Sequence, residues 1–116
     1  SNRILLKLIG KRNSYNDLEE INIPEIVLYS GDTQIPLTTD RIKIHSDTDR
    51  PIRNVKYGID KLIDGKDWTH CTLSGRQLAI EIGVSSNLQI DRWQVFNTSK
   101  KNRLQSVTLL RKPELN

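Results

Sequence analysis

The sequence predicts an all-β fold: a jelly-roll β-sandwich with one short helical turn. Three observations predict it. The apolar residues are mostly Ile, Leu and Val, which suit the pleated surface of a strand. They fall in short runs, several with the period-two alternation of a strand that has one buried and one wet face. Turn residues separate the runs, and no intervening helix is long enough to connect parallel strands. A single Ala, Ala79, and the lack of Met argue against a helical bundle.

The elements follow in order. Residues 3–9 (RILLKLI) form the first expected strand, ended by Gly10. Residues 11–20 (KRNSYNDLEE) are polar and read as a loop. Residues 21–29 form the second strand. Pro24 lies inside it and marks an edge, a strand start or a bulge, because proline cannot donate to a ladder. Ser30-Gly31-Asp32 is a turn signal. A short piece at 35–37 precedes a clear alternation at 41–45 (RIKIH), and 46–54 (SDTDRPIRN) is a long polar loop. Val55, Ile59, Leu62 and Ile63 stand at i, i+4, i+7 and i+8, the spacing of a helical turn, which Gly65 ends. Further strands are expected at 68–73, at 78–82 up to Gly83, at 90–96 with Trp93 and Val95 on one face, and at 104–110 before Pro113. Residues 97–102 (NTSKKN) read as a turn or loop.

A chain of 116 residues with no internal linker or repeat reads as one domain, 1–116. That is long enough to build a core without disulfides or metals. Ser1-Asn2 is set aside as a cloning remnant. The net charge of +4 points toward acidic partners, though acids and bases alternate along most of the chain. The exception is the tail, where Lys100, Lys101, Arg103, Arg111 and Lys112 crowd together against Glu114. The lone cysteine, Cys71, cannot close an internal disulfide and reads as a small buried thiol in a strand. No apolar run approaches the roughly 20 residues of a membrane-spanning helix.

Several blocks now resemble one family. Leu62-Ile63-Asp64-Gly65-Lys66-Asp67-Trp68 resembles the "AIDG…W" signature of galactose-binding-like, F5/8 type C (discoidin-like) domains. Leu78-Ala79-Ile80-Glu81-Ile82-Gly83 resembles that family's "W-x-E-I-D-L-G" strand, with Gln77 and Leu78 where an aromatic is expected. Ile90, Trp93, Val95 and Asn97 resemble its "I-x-x-I-x-I-x-N" strand. Arg103-Leu104 with Val107 and Leu109 resembles the "R-L…V-x-L" run. Upstream, Leu6-Lys7-Leu8 and residues 21–29 (INIPEIVLY) resemble "R-I-x-L" and "L-N-I-A-E-I-x-V-Y". The order of the blocks covers nearly the whole chain. Domains of this kind occur in lectins and in large-virus or phage proteins. The resemblance implies a jelly roll with ligand loops at one end. Fucose-binding relatives carry an Arg-Asp pair after the strand asparagine. Here Asn97 is followed by Thr98-Ser99-Lys100-Lys101 instead.

A glycan site needs an aromatic face for the sugar's C–H patch and planar polar groups for its hydroxyls. The candidates are Trp68, His70, Arg76, Asn97, Lys100 and Arg103. Each has a structural alternative. Trp68 and Trp93 suit the core, Asn97 suits a turn, and Arg103 could hold a loop through backbone carbonyls. A structural calcium is a second expectation, with Asp47, Asp49 and Asp64 as ligands, because calcium takes carboxylate and carbonyl oxygens. No enzyme signature is present: Gly10 opens no phosphate loop, Ser74-Gly75 lacks the nucleophile-elbow flanks, and the two histidines have no HExxH relation.

The sequence therefore points to a non-catalytic carbohydrate-binding or attachment module. Its expected partner is a glycan or another acidic or hydroxylated polymer, and its expected setting is extracellular or on a virion or cell surface, as a soluble domain. The alternative is a structural or assembly module that contacts protein in a virion or larger complex. Nucleic acid ranks last, because the basic tail interleaves no aromatics.

Overall fold

A computed structural model describes residues 2–11, 20–46, 58–84 and 87–111, the side chains of Ser46 and Arg111 excepted. Nine strands appear among them: β1 Asn2–Gly10, β2 Glu20–Ile23, β3 Ile26–Ser30, β4 Thr33–Gln34, β5 Ile42–Ser46, β6 Cys71–Ser74, β7 Gln77–Val84, β8 Arg92–Val95 and β9 Leu104–Arg111. The all-β sandwich expected from the sequence is the fold found. Two 3₁₀ turns, at Thr39–Arg41 and Ile59–Leu62, are the only helical pieces among the described residues. The second falls in the segment with helical spacing, and Leu62 anchors it in the core.

One layer is a four-stranded sheet in the order β5-β7-β1-β9, antiparallel throughout. β1 is its inner strand because its alternation is nearly perfect: Ile4, Leu6 and Leu8 face inward, while Arg3, Leu5, Lys7 and Ile9 face outward. β7 answers it residue for residue, Leu6 opposite Ile80 and Ile4 opposite Ile82. Gly83 does not end β7. It continues the alternation on the outer face, and Val84 returns to the core. The second layer consists of the β2-β6 pair and the β4-β3-β8 sheet. β2 and β3 are the single strand expected at 21–29, broken at Pro24-Glu25, so β2 pairs with β6 and β3 with β4 and β8. One core joins both layers, including Ile21, Ile23, Ile26, Leu28, Leu62, Leu73 and Ile90. Burying each such side chain contributes about 1.5–3 kcal/mol.

Several expectations are corrected. Residues 35–37 form no strand; the partner of β3 is β4, and Ile35 is instead a buried residue whose N–H donates to the Leu28 carbonyl at 2.8 Å. The strand expected from Trp68 begins at Cys71. Asn2, set aside in the sequence reading, opens β1; its side chain is buried, and its amide Nδ2 donates to the Leu88 carbonyl. Cys71 is buried as expected, and burial pushes its thiol up to about 12, so the protonated form prevails. Among the described residues no helix is long and apolar enough to cross a membrane.

Candidate functional site at the loop end

The broken strand organises one end of the sandwich. Pro24 cannot donate to a ladder, and the chain turns there, placing Glu25 between β2 and β3. Glu25 is only 6% exposed. Its backbone carbonyl accepts the Phe96 N–H at 2.9 Å, and its Oε2 accepts the Gly65 N–H at 3.3 Å. A single residue thus ties the strand break to the end of β8 and to the Asp64-Gly65 turn. Its other oxygen, Oε1, is buried without a hydrogen-bond donor. Burial is the main force pushing the Glu25 carboxyl up to about 7; the Gly65 N–H opposes this and the Asp64 carboxylate adds to it. Asp64 moves the other way. The Thr69 hydroxyl, donating to its Oδ2 at 2.5 Å, is the main group holding it below the usual carboxylate range, and the Lys66 N–H and Glu25 assist. Glu25 therefore keeps its proton to higher pH than Asp64.

This bracing shapes the loop that carries Trp68. Gly65 takes φ 75°, in the left-handed region that glycine enters without penalty. Asp64 closes the turn by accepting from Lys66 and Thr69. Trp68 then projects outward and is 76% exposed. The core reading of this tryptophan is thereby corrected. Trp93, on β8, is the one that packs against the core.

The 97–104 loop lies on the other side of the strand break. Asn97 closes it with three bonds: Nδ2 donates to the Leu104 carbonyl at 2.9 Å, and Oδ1 accepts the N–H groups of Leu104 at 2.8 Å and Thr98 at 2.9 Å. Its amide is spent on the loop, which is the turn role the sequence allowed. Asn102 takes φ 64°, a conformation asparagine tolerates better than most residues. Its carbonyl accepts the Asn22 N–H at 2.8 Å, and the Lys101 carbonyl accepts from Asn22 Nδ2 at 3.2 Å. Asn22 Oδ1 in turn accepts the buried Thr72 hydroxyl at 2.7 Å.

Cations gather around the end of β1. The Gly10 N–H donates to the Arg76 carbonyl at 2.7 Å, and the next N–H, of Lys11, donates to the Arg103 carbonyl at 2.8 Å. The end of β1 thus sits between Arg76 and Arg103. Both arginines bury Nε without an acceptor. Lys100 and Lys101 are exposed on the same loop. His70 is half-buried just before β6.

The structure therefore brings Arg76, Asn97, Lys100 and Arg103 to one end through backbone hydrogen bonds. Trp68 and His70 lie before β6, whose first residue Cys71 pairs with Ile23, whereas Arg76 follows its last, Ser74, which pairs with Glu20. Glu25 itself escaped the sequence reading. Its signal was the period-two line Ile21, Ile23, Glu25, which puts a carboxylate on the core face. Of the calcium candidates, Asp47 and Asp49 lie outside the described residues. Asp64 spends its oxygens on its own turn, with Glu25 beside it. Calcium takes roughly six to eight oxygens, carbonyls among them; among the described residues no three of His, Cys, Asp and Glu gather. No family model, no curated protein and no solved structure matches this chain.

Proposed function

We propose that the chain is a non-catalytic carbohydrate-binding or attachment module that works at an extracellular, virion or cell surface, with its ligand at the loop end. One observation carries the reading: Trp68 is 76% exposed on a loop whose hydrogen bonds brace it from below. An exposed indole costs apolar hydration, and stacking on the C–H face of a sugar recovers it. Arg76, Lys100 and Arg103, around the end of β1, supply donors for hydroxyl or acid groups. The likeness of residues 62–68 to the discoidin-like signature supports the same reading.

The test is a glycan-array screen, with and without calcium, of the wild type beside a Trp68→Ala/Arg103→Ala variant. Selective binding that the variant loses is the expected result. An absence of binding at high multivalency sinks the reading. One observation favours an assembly module as the second reading: Leu110 is 52% exposed on β9, an edge strand of the four-stranded sheet. Exposed edges invite strand addition by a partner. Light scattering of wild type and Leu110→Lys decides that reading through the oligomeric state.

A further inference from the structure

The outer face of the four-stranded sheet carries a second site, remote from Trp68. The register sets out its rows. Arg3 lies opposite Gly83; Leu5 and Lys43 flank Glu81; Lys7 and His45 flank Ala79. The middle strand, β7, thus presents Gly83, Glu81 and Ala79, two of them small, between taller side chains on β1 and β5. The 3₁₀ turn Thr39–Arg41 closes one side beside Gly83. The result is an open groove of about 290 Å³, walled by Arg3, Asp40, Arg41, Lys43 and Glu81 with Gly83 in its floor.

Two features make it a ligand groove. A glycine inside a strand weakens it and marks a bulge, a tight bend, or the close approach of a ligand or another backbone. Gly83 is not forced by crowding, since a Cβ there would meet only ordinary contacts, 3.8 Å from Arg41. The charges are also unevenly used. Glu81 is engaged by Arg3 at 3.4 Å, and Asp40 is held below the usual carboxylate range, chiefly by the Thr38 hydroxyl. Among the described residues no hydrogen bond or close ion pair holds the Arg41 guanidinium or the Lys43 ammonium, although the Arg41 charge helps lower the Asp40 pKa.

We propose that this groove binds an acidic sugar unit, one that carries a carboxylate or sulfate. Arg41 and Lys43 take the acid group in charge-assisted hydrogen bonds. Asp40 and Glu81 accept hydrogen bonds from ring hydroxyls, a role a bare anion would not need. The polar, open lining suits a hydroxylated ligand, and the volume sits at the small end of ligand sites. The columns of β1 and β5 stand roughly 10 Å apart, two strand spacings, which leaves room for one ring between them. The site shares no residue with the loop end and does not rest on that reading.

The test is amide NMR on ¹⁵N-labelled protein, titrated with glucuronic acid and with glucose 6-sulfate. Glucose and inorganic sulfate serve as controls. Both acidic sugars are expected to shift the Arg3, Arg41, Lys43 and Gly83 amides, and the two controls to shift them much less. Arg41→Gln/Lys43→Gln, both exposed and safe for folding, should weaken binding about ten-fold or more. Gly83→Val should fill the floor and abolish binding while the fold persists. Trp68→Ala/Arg103→Ala should leave these shifts intact, so failure of the loop end is scored separately. Shifts with sulfate alone as large as with the acidic sugars would show an adventitious ion only and overturn the proposal. So would equal shifts with glucose, or none at these amides.

Discussion

The four-stranded sheet and the broken strand β2–β3 are both built from Ile-, Leu- and Val-rich segments, yet they do different work. In β1 and β7 the alternation runs unbroken for eight or nine residues, and every inward position is apolar apart from the terminal Asn2 and Gly10. In β2–β3 the alternation meets Pro24 and Glu25. The strand changes partners there, a carboxyl is buried, and two loops are hung from one residue. Unbroken alternation produces stability and a regular outer face. A break in it costs stability and positions loops. Sites that break a local rule are where function is expected to reside.

The largest effect should come from the regular sheet. Leu6→Ala removes a fully buried side chain on its inner strand and is expected to cost about 2–5 kcal/mol in urea unfolding. The break should behave in the opposite sense. Because the folded pKa of Glu25 lies near 7, above its value of 4.5 in the unfolded chain, the native state holds the extra proton between those values. Its contribution is fully present below pH 4.5 and is lost as pH rises toward 7 and beyond. Glu25→Gln is therefore expected to stabilise the protein at pH 8, by as much as about 3 kcal/mol, and to flatten its stability between pH 5 and 8. A stability curve unchanged by the substitution would show that the strand break tolerates a charged Glu25.

Smaller effects sharpen the contrast within the break. Asn97→Ala deletes three hydrogen bonds of the 97–104 loop and should cost about 1–3 kcal/mol, with thermal melting as the readout. Trp68→Ala should change stability by less than about 0.5 kcal/mol, as for most surface substitutions, while removing glycan binding on the array. A large loss of stability in this variant would return Trp68 to the core and end its role as a ligand platform.

Much of this molecule was legible in its sequence. Period-two alternation located β5 and β7, and apolar runs bounded by Gly10 and Pro113 located β1 and β9, each to within a residue or two, because a sandwich strand with one wet face must alternate. Helical spacing found the turn at Ile59–Leu62, and Pro24 announced the break. Of the candidates Trp68, His70, Arg76, Asn97, Lys100 and Arg103, no local pattern showed which would gather around the end of β1, because that depends on strand pairing. The fate of Trp68 was not legible. An Asp-Gly turn followed by Trp is compatible with an indole turned in or out, and the choice depends on whether the core has space. Leu62, Leu73 and Ile90 already help fill it.

The sequence by itself determined the secondary structure and the fold class, because alternation, proline and glycine act over a few residues. Only the tertiary structure decided which loops meet, that Glu25 is buried against the Asp64-Gly65 turn, and that Gly83 lies in the floor of a charged groove. Those facts depend on pairings between residues 40 to 80 positions apart. Such pairings follow from how two layers close over a common core, and no local pattern encodes that closure.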